Sequence, residues 1–126
     1  MNPHKILVVE DDYVISELIR ITIECPQYEL TCVDNGADAF AALAKGAFDL
    51  VLLDILIPAP DGWEVYKFIR SNSDFDRTRV IVLTALEFSP EFLRAKNLLP
   101  ADLFMQKPFE LDELAANAAK LLKVSG

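Results

Sequence analysis

Four apolar runs in this chain each stop at a residue that can bind an ion or carry charge. Ile6–Val9 (ILVV) runs into Glu10, Asp11 and Asp12; DLVLL ends at Asp54; VIVL ends at Thr84; LFMQ ends at Lys107. Gathered in one place, these groups would have a definite chemistry. Crowded carboxylates repel, and their pKa values rise unless a cation joins them. A hard divalent ion with oxygen ligands suits such a group, Mg²⁺ in most cells, with Mn²⁺ as a substitute. Lys107 adds a compact positive charge and Thr84 a hydroxyl donor. An acidic cluster with a metal, an ammonium and a hydroxyl is a receptor for a transferred phosphoryl group. Asp54 would be the attacking carboxylate, since carboxylates form aspartyl phosphates.

Taken singly, each residue has a plainer reading. Acids after a strand often cap the following helix. An Asp after an apolar run often just starts a loop, Thr84 could serve only as a cap, and Lys107-Pro108 could be only a solvated loop. The functional reading depends on all four places meeting, and the elements between them decide that.

Those elements alternate. Lys5–Val9 is rich in Ile, Leu and Val without polar alternation, as in a strand buried on both faces. Tyr13–Glu24 has helical spacing, with Val14, Leu18 and Ile21 expected inward, and Pro26 stops it. Tyr28–Val33 reads as a more polar strand, suited to a sheet edge. Asp34-Asn35-Gly36 is a turn, Ala37–Ala44 a helix ended at Lys45-Gly46, and Asp49–Leu53 a third strand. Trp63–Arg70 is helical. Arg79–Leu83 is a fourth strand, a helix begins at Ser89 with Pro90 in its first turn, Asp102–Met105 is a fifth strand, and Leu111–Lys123 a last helix with Leu114, Ala118, Leu121 and Leu122 inward. Five strands alternating with five helices predict an α/β domain with a parallel sheet covered on both faces. In such sheets ligands bind at the carboxyl ends of the strands, which is where the acids, the hydroxyl and the ammonium fall.

Composition narrows the function further. A hydrophobic fraction of 52% over 126 residues suffices for one packed core without staples. The net charge of −8, with Lys and Arg scattered, argues against a nucleic-acid surface. Cys25 and Cys32 match no metal or redox motif, and His4 lies at an expected frayed end. No apolar run reaches membrane-spanning length, and the opening MNPHK has no signal-peptide core, so the expectation is a cytoplasmic protein without membrane contact. Four scattered glycines make no phosphate-binding loop. The phosphoryl donor must then be another protein or a small phosphodonor.

The segments ILVVEDD, VLLDILIPAPDG, VIVLTA and LFMQKPF, in this order and spanning nearly the whole chain, resemble the receiver domain of two-component response regulators. The resemblance implies a flavodoxin-like (βα)5 fold with strand order 2-1-3-4-5, as a single domain over 1–126 with an ordered core of about 4–124 and no effector domain. It implies a phosphoacceptor signalling domain, not a conventional enzyme. Asp54 takes phosphate from a histidine kinase or histidine phosphotransfer protein, and the domain catalyses its own phosphorylation and slow dephosphorylation. Asp11, Asp54 and the backbone carbonyl of Leu56 would bind Mg²⁺, with Glu10 acting mainly through water, and Asp12 would only start a helix. Thr84 and Lys107 would contact the phosphoryl group, Ala85 would leave room for it, and Pro108 would hold the Lys107 turn. Thr84 and Phe104 would form the switch, changing a surface read by an unknown downstream protein.

Several features depart from the family pattern. Pro60 precedes Asp61-Gly62, Leu99-Pro100-Ala101-Asp102 replaces the usual Gly-Ala-Asp, and Phe104 lacks the hydroxyl of a Tyr. Leu56 and Leu86, two beyond Asp54 and Thr84, cannot orient water, which predicts a long-lived acyl phosphate. Ile15, Ile19 and Ile23 are either core or a docking face for kinase helices. Three other readings compete. A haloacid-dehalogenase-like phosphatase wants a second acid where Leu56 stands. A flavin module on the same fold wants a phosphate-cradling loop where the acids stand. A degenerate receiver used only for contacts is at odds with the intact Asp11, Asp54, Thr84 and Lys107.

Overall fold

The computed structural model describes residues 3–85 and 102–125. Five parallel strands form one sheet in the order β2-β1-β3-β4-β5. They are β1 (His4–Val9), β2 (Tyr28–Val33), β3 (Leu50–Asp54), β4 (Arg79–Thr84) and β5 (Leu103–Gln106). The helices are α1 (Tyr13–Ile23), α2 (Gly36–Lys45), α3 (Gly62–Ser71) and α4 (Leu111–Ser125), with a short 3-10 turn at Ser73–Phe75. The helix expected from Ser89, and Leu86, lie outside the described residues. Among the described residues no helix is long and apolar enough to cross a membrane.

The unbroken apolar runs occupy the sheet centre, as a strand with helices on both faces requires. Ile6–Val9 and Leu50–Leu53 are fully buried. Successive side chains point to opposite faces and so sort into two layers. Leu7, Val9, Val51, Leu53, Val80 and Val82 pack on α2 and α3; Ile6, Val8, Leu50, Leu52, Ile81 and Leu83 pack on α1 and α4. In α4, Leu114, Ala118, Leu121 and Leu122 all face inward, as their spacing predicts. β2 is the polar edge expected. His4 is not frayed: it opens β1, and its N–H donates to Gln27 O at 2.9 Å.

Caps set the helix starts. Asp12 Oδ1 accepts from Val14 N at 2.9 Å and Ile15 N at 3.2 Å, so Asp12 caps α1. Asp61 and Glu64 form a reciprocal capping box that opens α3 directly beyond the β3 loop. β3 runs one residue further than its pattern suggested, so Asp54 is its last residue, opposite Leu83 in β4.

The orientation of α1 is a correction. Ile19 and Ile23 are buried and Ile15 is partly buried against the core, whereas Val14, Leu18 and Ile21 are exposed. Both stripes have the same helical spacing, so periodicity alone could not choose between them. The faces of β1 and α4 choose, because Ile19 and Ile23 are the pair that joins the buried layer of Ile6, Val8 and Leu122. Ile15, Ile19 and Ile23 are therefore core and not a docking surface. Ile19→Ala is expected to cost about 2–5 kcal/mol by thermal denaturation. Ile21→Ala should stay within about 0.5 kcal/mol; similar losses at both positions would contradict this orientation.

Candidate metal centre at the sheet's carboxyl edge

The strand ends meet as the alternation requires. Glu10 follows β1 and Asp54 ends β3, and both are almost wholly buried at 1% and 3% exposure. Asp11 lies beside them in solvent. Glu10, Asp11 and Asp54 each offer a carboxylate oxygen, all within 4.8 Å of one another. Lys107, reached from β5, places its ammonium between two of them, with Nζ 2.5 Å from Glu10 Oε1 and 3.2 Å from Asp54 Oδ2.

Backbone groups fix the carboxylates. Leu56 N donates to Asp54 Oδ1 at 3.0 Å, and Asp12 N donates to Glu10 Oε2 at 3.1 Å. Ile55 N donates to Leu83 O at 3.0 Å, so the β3 exit stays seated on β4. Below it, Gly62 allows α3 to approach the Asp54 carbonyl: a Cβ there would stand 2.4 Å from that oxygen and from Ile55 Cα. The sequence pattern starts this helix at Trp63, one residue later than the structure does. The Asp-Gly-Trp-Glu run that opens α3 was the signal for this close approach.

The remaining predicted residues fall around the cluster. Thr84 is fully buried at the end of β4, and its carbonyl accepts from Lys107 N at 2.7 Å. Ala85 follows as an exposed bend. Leu56 is 47% exposed, and exposed Pro108 follows Lys107 through a cis peptide bond. Phe104 is not at the cluster. It sits opposite Val82, half-buried against the α2–α3 layer. Asp12 is also apart, its side chain committed to the α1 cap.

Two of the three carboxylates, Glu10 and Asp54, share the Lys107 ammonium. Burial pushes the Glu10 carboxyl up to about 7; Lys107 pulls it down and neighbouring Asp54 pushes it up. Burial alone would lower the Lys107 ammonium, but the Glu10 and Asp54 carboxylates outweigh it and hold its pKa above the ordinary value. The acidic character continues into a cavity of about 380 Å³ that Glu17, Asp34 and Asp38 also line, a field that attracts cations. The donor set is all oxygen, part buried and part open, which fits a hard divalent ion that keeps some of its water.

The family model described as "Response regulator receiver domain" matches residues 6–119, most of the chain. The chain belongs to the response regulator receiver family. This receiver is 39% identical over 112 residues to the transcriptional regulatory protein CrdR of Helicobacter pylori, covering 89% of this chain and 52% of that protein. The chain thus spans about half the length of the curated relatives it matches. The receiver domain of the Francisella response regulator 1452 superposes with a TM-score of 0.84 at 29% identity, covering 99% of this chain and all of that one. The receiver domain of the sensor histidine kinase PA1611 from Pseudomonas aeruginosa, solved with a magnesium ion coordinated in its active-site cleft, superposes with a TM-score of 0.81 at 26% identity, covering 96% and 98% of the two chains. The flavodoxin-like order 2-1-3-4-5 holds, and the phosphatase and flavin readings give way to the receiver.

The cluster's charge balance yields a prediction. Mg²⁺ at ten times its dissociation constant should stabilise the wild type by about 1.4 kcal/mol. Asp54→Asn should melt higher than wild type without metal, since one crowded charge is gone, and should gain little from Mg²⁺. Thermal melts in Mg²⁺ and in chelator decide this; a wild type indifferent to the ion rules out the cation site.

Proposed function

We propose that Asp54 is the phosphoacceptor of this receiver and that the donor is the phosphohistidine of a histidine kinase or phosphotransfer protein. An Asp54 carboxylate oxygen attacks phosphorus, the phosphorus–nitrogen bond breaks, and the imidazole leaves, so that an acyl phosphate replaces a carboxylate. The observation that carries this reading is Lys107 bridging Glu10 and Asp54 with Asp11 alongside: a carboxylate, an ammonium and further acidic oxygens on one rim.

Glu10, Asp11, Asp54 and the Leu56 carbonyl are the groups that would hold Mg²⁺ or Mn²⁺. When bound, that ion supplies positive charge to neutralise the phosphoryl oxygens. The chain does the rest. Leu56 N–H orients Asp54, and Lys107 leaves Glu10 for the incoming phosphoryl oxygens. The Thr84 hydroxyl donates to the same group, with Ala85 leaving it space and Pro108 shaping the Lys107 turn. The acyl phosphate adds about one charge beyond the carboxylate it replaces, with new acceptor oxygens. Drawing Thr84 toward them opens room for Phe104, and its half-buried ring turns further in. That shifts a population between two surfaces, of which a downstream protein reads one.

Leu56, largely exposed beside Asp54, carries no group to align water. The acyl phosphate should therefore persist for minutes or longer without a phosphatase. Mass spectrometry after incubation with Mg²⁺ and acetyl phosphate tests both points. A labile adduct on wild type, absent in Asp54→Asn, is expected; no adduct refutes the acceptor assignment, and loss within seconds refutes the long lifetime.

The partner's docking face is the outer stripe of α1. Val14, Leu18 and Ile21 stand in solvent on a helix that starts two residues after Asp11. Exposed apolar side chains so aligned mark contact surfaces. Ile21→Asp should slow transfer from a histidine kinase that phosphorylates the wild type at least about tenfold. The acetyl phosphate rate should not change; equal kinase rates for both proteins would exclude this face.

A further inference from the structure

The strand that delivers Lys107 is poorly specified by its own residues. β5 has four residues, lies at the sheet edge and pairs with β4 over Ile81↔Leu103 to Thr84↔Gln106. Register is normally set by burying one face of an alternating pattern. Leu103, Phe104 and Met105 are all apolar and only Gln106 at the end is polar, so apolar burial resists a slip by one residue weakly, and in one direction hardly at all. Such a slip would also turn Lys107 to the opposite face, away from Glu10 and Asp54.

The group that resists such a slip lies at the other end of the strand. Asp102, directly before β5, is 8% exposed, and its carboxylate accepts four hydrogen bonds. Arg70 donates through Nε at 2.9 Å and Nη2 at 2.7 Å, Tyr66 Oη at 2.7 Å, and Val80 N at 3.1 Å. The Val80 bond continues the β4–β5 ladder by one step with a side chain. Arg70 is itself fixed, donating to Phe75 O at 3.2 Å and Thr78 O at 2.6 Å, with its guanidinium 5.9 Å from the Tyr66 ring centre. One ion pair thus joins α3, the turn before β4, and the first step of β5. Any slip would strand a buried carboxylate without its cation, which burial strongly penalises.

We propose that Arg70 and Asp102 are positioning residues for Lys107: their clamp sets the register of β5 and thereby where the ammonium arrives, about 16 Å further along the strand. The proposal rests on the phosphoacceptor reading for its rate readout, but not for its stability readout. The metal-holding side chains come from β1 and β3, whereas Lys107 comes from β5. A register effect therefore separates from a general loss of structure.

The test uses Asp102→Asn, Arg70→Ala and Arg70→Lys, well below their melting temperatures. Phosphorylation by acetyl phosphate should fall at least about tenfold in the first two. Mg²⁺ affinity by calorimetry should hold or rise, because Glu10, Asp11 and Asp54 are not moved and Glu10 and Asp54 lose a competing ammonium. Arg70→Lys, which keeps the charge but loses the fork, should recover part of the rate. Unchanged rates with a lowered melting temperature would make the clamp merely structural, and parallel losses of rate and Mg²⁺ affinity would make its effect global; either overturns the proposal. If Asp102→Asn does not fold, Tyr66→Phe removes one bond to the same carboxylate and should show a smaller shift of the same kind. If the wild type itself takes no phosphate, the acceptor reading falls, and a thermal cycle of Asp102→Asn with Lys107→Ala decides the clamp alone. Groups this far apart should add if independent; a double variant that loses less than the sum supports positioning, and additive losses overturn it.

Discussion

Carboxylates crowded at the edge of a low-dielectric sheet repel one another, and the rest of the molecule is arranged around that repulsion. Glu10 and Asp54 are withdrawn from water, while Asp11 stays in it. One ammonium cannot neutralise all three; burial and the Asp54 charge raise the Glu10 carboxyl, and the centre favours further positive charge. A site so unbalanced is poised to change state when a cation or a phosphoryl group arrives. Conversely, it makes a poor contributor to stability, since buried ion pairs recover little beyond their desolvation.

The cost of that site is borne by the apolar layers on both sides of the sheet. The fully buried cores of β1 and β3 hold the two acidic strand ends in adjacent registers, Val9 opposite Leu53. Gly62 lets α3 seat directly under the β3 exit. The acidic strand ends are thus held by strand pairing and close helix packing, while Thr84, Phe104 and Lys107 come from β4, β5 and the residue after it. These sit on the side of the sheet where β5 has a strand on one edge only.

This division explains why charged groups far from the rim matter to it. β1 and β3 are specified by unbroken apolar runs, but β5 is short, with three adjacent apolar residues followed by Gln106. Its placement passes to polar groups at its two ends, Asp102 with Arg70 at one and Lys107 with Glu10 and Asp54 at the other. The exposed stripe of α1, Val14, Leu18 and Ile21, begins next to the acidic rim yet is chemically opposite to it.

Much of this was legible in the residues alone. Unbroken Ile-Leu-Val runs alternating with helical spacing imply a doubly wound parallel sheet, and such a sheet must bring its strand ends to one rim; hence Glu10, Asp11, Asp54 and Lys107 could be grouped before any coordinates. Local signals of this kind survive because strand and helix periods depend only on neighbouring residues. What depended on distant partners was not legible. The stripes 14-18-21 and 15-19-23 of α1 are equivalent until β1 and α4 select one. Asp102 looks like a strand start until Arg70, thirty-two residues away, is found paired with it. The preference of Lys107 for Glu10 together with Asp54 required positions that tertiary packing alone decides.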